Sequence, residues 1–120
     1  MQISSNEYAV MEIIWANGGK IQAKEIAGIL HRGSAISGTA VYATIGRLID
    51  KKIISRADPD FICTSLITKD DVQKEATADF VEKYFENSFY DMITYAESVG
   101  RLSPREREKL SRLFKTDGSK

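Results

Sequence analysis

Apolar residues recur along this chain first at helical spacing, then in two short β-prone runs, then at helical spacing again. Ser4-Ser5-Asn6-Glu7 carries a Ser-x-x-Glu cap, and Val10, Met11, Ile13, Ile14 and Trp15 behind it predict a first helix ending at Asn17-Gly18-Gly19. Lys20-Ile21 has room for a single bridging strand. Ile26, Ala27 and Leu30 then predict a two-turn second helix over 23–30, stopped near Arg32-Gly33. Ser37 is a good N-cap for a third helix to about Lys52, with Val41, Ile45, Leu48 and Ile49 on one side. Ile53–Arg56 and Phe61–Thr64 flank Asp58-Pro59-Asp60, the composition of a hairpin with a tight turn.

Downstream, Thr68-Lys69-Asp70-Asp71 is a second cap, and the stripe from Val72, Ala76, Phe80 and Tyr84 to Phe89, Met92, Ile93 and Ala96 predicts helix, with a break near Ser88. Ser103-Pro104-Arg105-Glu106 opens a last helix with Leu110, Leu113 and Phe114 on its apolar face. Helix, strand, helix, helix, hairpin is the order of a winged helix. The expected fold is therefore mainly α with a small β-hairpin: a winged helix-turn-helix head over 1–67, a helical dimerisation region over 68–115 and a disordered tail over 116–120. The second region carries too much aromatic surface to bury alone. A second copy is expected to cover it through Phe80, Tyr84, Phe85, Phe89, Met92, Ile93, Leu110, Leu113 and Phe114.

Of 120 residues 42% are hydrophobic, enough for a core, yet nowhere do eighteen apolar residues run together and Met1–Ser5 lacks the character of a signal peptide. The expectation is a soluble cytoplasmic protein with no membrane partner. A single cysteine, Cys63, precludes an intrachain disulfide, and one histidine, His31, cannot build a metal site alone. The zero net charge hides an asymmetry: residues 1–57 hold seven Lys/Arg against four Asp/Glu, and the remainder ten against thirteen. A basic head and an acidic tail suit a polyanion-binding module on a partner-binding one.

Catalytic chemistry has little to stand on: no Gly-rich phosphate loop, no Ser/His/Asp or Cys/His spacing and no metal-ligand cluster is present. No cofactor is expected. Asp70 and Asp71 are read as serving a helix dipole rather than as paired carboxylates. Cys63 in a strand is read as a small buried side chain, and His31 as a helix-end or surface residue.

The third helix holds the candidate site. With Val41, Ile45, Leu48 and Ile49 inward, Thr39, Ala43, Gly46 and Asp50 turn outward, flanked by Tyr42 and Arg47. Small outward residues let a helix sit deep in the major groove, where Thr39 and Ala43 can meet thymine methyls and Arg47 a guanine edge or a phosphate. Ser37, Tyr42 and Lys51 complete that face. Lys20, Gln22 and Lys24 near the second helix, with Arg56 on the hairpin, are expected to grip the backbone of double-stranded DNA. Asp58 and Asp60 at the wing tip oppose phosphate binding.

Ile3-Ser4 with Glu7-Tyr8-Ala9-Val10-Met11-Glu12-Ile13-Ile14-Trp15, then Ala23-Lys24-Glu25-Ile26, Arg47 to Ile54, Phe85-Glu86-Asn87-Ser88 and Leu102-Ser103 through Leu113 fall in one order and spacing. The series resembles the penicillinase repressor family. The resemblance implies a homodimeric repressor with winged-helix heads on a palindromic operator. Three departures qualify it. Thr39, Ala40 and Tyr42 stand where the family usually has Lys, Thr and Arg, and Arg47 alone matches. Thr94-Tyr95-Ala96-Glu97 lacks the family's cleavable Asn-Phe bond. Thr116–Lys120 lacks the cysteines of the copper-responsive branch. Two other functions are open at this point: a winged helix used for protein contacts, and a ligand-sensing regulator with weak DNA affinity and a pocket by Tyr84, Phe85 and Phe89. The inducer or sensor protein is unknown.

Overall fold

The computed structural model describes residues 2–34 and 36–118. It contains α1 (Ser5–Ala16), β1 (Lys20–Gln22), α2 (Ala23–Gly33), α3 (Gly38–Asp50), β2 (Ile54–Ala57), β3 (Ile62–Ser65), α4 (Lys69–Phe85), α5 (Phe89–Ser98) and α6 (Pro104–Gly118). The chain divides into two compact units, residues 1–76 and 77–120.

Local chemistry starts every helix but α2 with a side-chain cap. Ser4 Oγ accepts from Glu7 N–H while Glu7 Oε1 accepts from Ser4 N–H, closing the capping box of α1. Ser37 caps α3 by accepting from Ala40 N–H. Thr68 and Asp71 cap α4 reciprocally, Ser88 caps α5, and Ser103 and Glu106 do the same for α6. Helix ends are less obvious in sequence. After α3, Lys52 takes φ 62°, its N–H reaches Ile49 O and Ile53 N–H reaches Leu48 O. This paired-bond ending normally employs glycine at the left-handed position. Its strain is offset here by Ile53, which packs buried in the same core as Leu48.

In the first unit β3 is the centre of a three-stranded antiparallel sheet ordered β1-β3-β2. Ile21 lies opposite Cys63 and Arg56 opposite Cys63 on the other side, so the hairpin of β2 and β3 is continued by the bridging strand. Val10, Met11 and Ile14 of α1, Ile26 of α2, Val41, Ile45 and Leu48 of α3, and Ile54 and Cys63 of the sheet form one core. Each large apolar side chain buried there contributes about 1.5 to 3 kcal/mol. Trp15 secures α1 to the sheet: its Nε1–H lies 3.1 Å from both Ser65 Oγ and Ile67 O. Ile49, expected on the core side of α3, is half-buried, as is Gly46, expected to face outward.

In the second unit Val81 is buried, but Phe80, Tyr84, Phe89, Tyr95, Leu113 and Phe114 are 45–61% exposed. Phe85, Met92, Ile93 and Leu110 are half-buried. Phe80 packs its ring on Tyr84 and Phe85, and Phe85 on Tyr95, at centroid distances of 5.1 to 5.9 Å. Arg107 of α6 pairs with Glu97 of α5 at 3.4 Å. The expected break near Ser88 is present, made by Glu86 and Asn87 at φ 50° and 64°.

Two boundaries differ from expectation. The division falls inside α4 rather than at 67/68, because the first turn of that helix places Val72 in a buried position within the first unit. The tail expected to be disordered from 116 begins inside α6, since no glycine or proline interrupts the helix between Pro104 and Gly118. Residues 119 and 120 lie outside the described residues. No helix among the described residues is long and apolar enough to cross a membrane.

Candidate nucleic-acid interface

The outward side of α3 is exposed at Thr39, Ala40, Ala43, Arg47 and Asp50, and Tyr42 is 40% exposed. Apart from Tyr42 and Arg47 these are small or short side chains, so the helix backbone can come close to a flat or grooved partner. Ser37, expected among the contacts, has its Oγ engaged as the N-cap.

The sequence-predicted residues fall into two connected groups. In the first, Phe61 leaves the tight turn at φ 51° and lays its ring 5.8 Å from that of Tyr42. The Arg56 guanidinium carbon lies 3.6 Å from the Phe61 ring centroid, and Arg56 Nε also donates to Asp58 Oδ1 at 2.9 Å. Tyr42, Phe61, Arg56 and Asp58 thus run continuously from the helix to the wing tip. Phe61 O accepts from Ala23 N–H at 2.9 Å, which places Gln22 and Lys24 beside the same turn. Lys20 and Lys24 are exposed, while Gln22 is half-buried and caps α2 without a side-chain bond. Asp58 at the acidic wing tip is thus paired with Arg56 in an exposed contact, and a phosphate meeting Arg56 competes with that pair.

The second group surrounds a residue not predicted beyond its cap. Glu7 is 1% exposed. Its Oε1 accepts from Lys51 Nζ at 2.8 Å, and its Oε2 lies 3.8 Å from Arg47 Nε. Lys51 Nζ also donates to Gln2 O, and Arg47 Nη2 donates to Thr44 Oγ1 at 3.0 Å. Thr44 is buried and passes its own hydroxyl hydrogen to Ala40 O. Burial alone would push the Glu7 carboxyl up, but the Lys51 hydrogen bond, the Ser4 N–H and the Lys51 charge together hold it below the ordinary glutamate value. Arg47 and Lys51, expected as DNA contacts, are thus both tied to an acid of α1. The capping box revealed Glu7, but its partners lie 40 and 44 residues on, beyond any local pattern.

Cys63 is buried, and desolvation, opposed by the Arg56 charge, pushes its thiol up, away from the reactive thiolate. His31 Nδ1 lies 3.0 Å from Ile36 O at the end of α2. Among the described residues no three His, Cys, Asp or Glu side chains gather as metal ligands.

Comparison with known proteins bears on this geometry. The chain matches the penicillinase repressor family model over residues 3–116. The solution structure of the DNA-binding domain of the repressor BlaI superposes with a TM-score of 0.53 at 29% identity, covering 58% of this chain and 87% of that one. A structure of Bordetella bronchiseptica BpsR, whose DNA binding is regulated by 6-hydroxynicotinic acid, aligns over 99% of this chain and 77% of that one. Its identity of 16% and TM-score of 0.46 are too low to support an inference. No curated protein matches the chain.

Proposed function

The chain belongs to the penicillinase repressor family, whose members are DNA-binding transcriptional repressors rather than enzymes, and we propose that two copies of it bind a palindromic operator with α3 of each in the major groove. The observation that carries this reading is the exposed side of α3. Thr39, Ala40 and Ala43 leave the helix bare enough to enter the groove, Arg47 stands on that side, and Tyr42 joins it to the wing. Thr39 and Ala43 meet thymine methyls, and Arg47 is the base-reading donor. Lys20, Gln22 and Lys24 hold the sugar-phosphate backbone and fix register without reading sequence.

The homodimer rests on the second unit. Phe80, Tyr84, Phe89, Tyr95, Leu113 and Phe114, each 45–61% exposed, offer apolar surface that a two-fold contact would bury on both copies. Tyr95, absent from the sequence-derived interface, belongs with that patch through its contact with Phe85.

A mobility shift with the protein's own upstream DNA and random DNA, across a salt series, tests the reading. Arg47→Ala should weaken operator binding by about 1 to 3 kcal/mol. Equal affinity of the native protein for both DNAs would refute sequence-specific repression. A stable monomer at micromolar concentration in sedimentation would refute the dimer.

A further inference from the structure

We propose that Glu7 is a positioning residue that restrains DNA affinity: its buried carboxylate holds Arg47 and Lys51 against the protein and withholds them from phosphate. The inference rests on the reading of α3 as the DNA-facing helix, and adds how its cations are restrained.

The two tethers are unequal. Lys51 donates to Glu7 at 2.8 Å and is held a second time by Gln2 O, so it is a fixed partner. Arg47 approaches the other oxygen only to 3.8 Å, has its second anchor in Thr44 Oγ1, and keeps about half its side chain in water. If Arg47 swings to a guanine edge, Glu7 retains Lys51 and the Ser4 N–H, so no buried charge is left unpaired. Arg47 is therefore releasable where a bidentate acceptor replaces both its anchors, as guanine O6 and N7 do. A lone phosphate met in random DNA must compete against the same anchors. Lys51 stays with the protein in both cases. A carboxylate facing α3 from α1 thus raises the threshold for non-specific contact, and it does so without touching DNA. Glu7 cannot move out to become a surface acid, because its Oε1 also completes the α1 cap.

Glu7→Gln tests this, since a glutamine amide oxygen can still accept from Ser4 N–H while the charge is lost. Binding to the protein's own upstream DNA and to random DNA is measured by fluorescence anisotropy over a salt series, with circular dichroism confirming the fold. The slope of log K against log salt should steepen by about 0.9 for each cation released, up to two such steps. Affinity for random DNA should rise by about eightfold near 0.1 M salt for one cation released, and affinity for the operator by at least as much, since the operator draws Arg47 from the same anchors. A folded variant with native slope and native affinity for random DNA overturns the proposal. If Glu7→Gln does not fold, Thr44 decides: Thr44→Val, which removes the acceptor of Arg47, should raise the affinity for random DNA, and Thr44→Ser, which keeps it, should not. Identical affinities of the two Thr44 variants for random DNA overturn the proposal. A native protein that does not distinguish the two DNAs removes the underlying reading first, and the role of Glu7 with it.

Discussion

The contact between Tyr42 and Phe61 is the only ring-on-ring link between α3 and the wing among the described residues, and removing it should decouple the two. Phe61→Ala deletes the packing on Tyr42 at 5.8 Å, where an aromatic pair is worth about 0.5 to 1.5 kcal/mol. It also deletes the stacking of Arg56 at 3.6 Å, worth about 0.5 to 1 kcal/mol at an exposed site. With the lost burial of a half-buried ring, the expected destabilisation is about 2 to 3 kcal/mol. Alanine keeps the side-chain penalty of the positive φ at position 61, so relief of backbone strain does not mask the loss. Tyr42→Ala, at a side chain already 40% exposed, should cost about 1 to 2 kcal/mol. The double variant isolates the pair: urea unfolding followed by circular dichroism should give a coupling of about 0.5 to 1.5 kcal/mol. For a unit of this size a loss of 2 kcal/mol moves the urea midpoint by about 1 to 2 M at unchanged slope. In DNA binding, Phe61→Ala should weaken operator and random DNA to a similar degree, because a displaced wing loses backbone contacts that position rather than specify. Additivity of the two substitutions within about 0.3 kcal/mol would refute the link between helix and wing.

Other expectations follow from the same two groups. The Glu7 carboxyl titrates below its unfolded value of about 4.3, so its contribution is complete above that pH and is lost as pH falls through the lower folded value. The urea midpoints of the native protein and Glu7→Gln should therefore converge as pH falls from neutral to below the ordinary glutamate range, and a constant gap would contradict the charge account. Asp58→Asn should leave stability within about 0.5 kcal/mol, since the Arg56 pair is solvent-exposed. It should tighten binding to any DNA and steepen the salt dependence by about 0.9, and unchanged DNA affinity would mean that Arg56 does not meet phosphate. Cys63 should react with a disulfide reagent at neutral pH only as fast as the first unit opens, and rapid labelling of the folded protein would show that it is not sealed in the core.

What could be read from sequence is what is decided locally. Ser4, Ser37, Thr68, Ser88 and Ser103 announce helix starts because each cap joins residues three apart. The core side of α3 follows from helical spacing, although Ile49 is only half-buried. Glu7 was legible as a cap and hidden as a counter-ion, because Arg47 and Lys51 reach it only once α1 and α3 have packed. The pairing of Asp58 with Arg56 depends on hairpin geometry, and the place of Phe61 on a turn conformation that composition does not dictate. Lys52 in a left-handed position was equally silent, because glycine is the residue that normally signals it.

The anchoring of Trp15 makes the molecule its own optical probe. It is the chain's single tryptophan, half-buried in the first unit with its indole hydrogen shared between Ser65 and Ile67. Tyr84, Tyr90 and Tyr95 are the only absorbing rings of comparable kind in residues 77–120. Emission excited at the red edge therefore comes from the first unit alone, and a shift of its maximum times the loosening of α1 from β3 independently of whatever the C-terminal helices do.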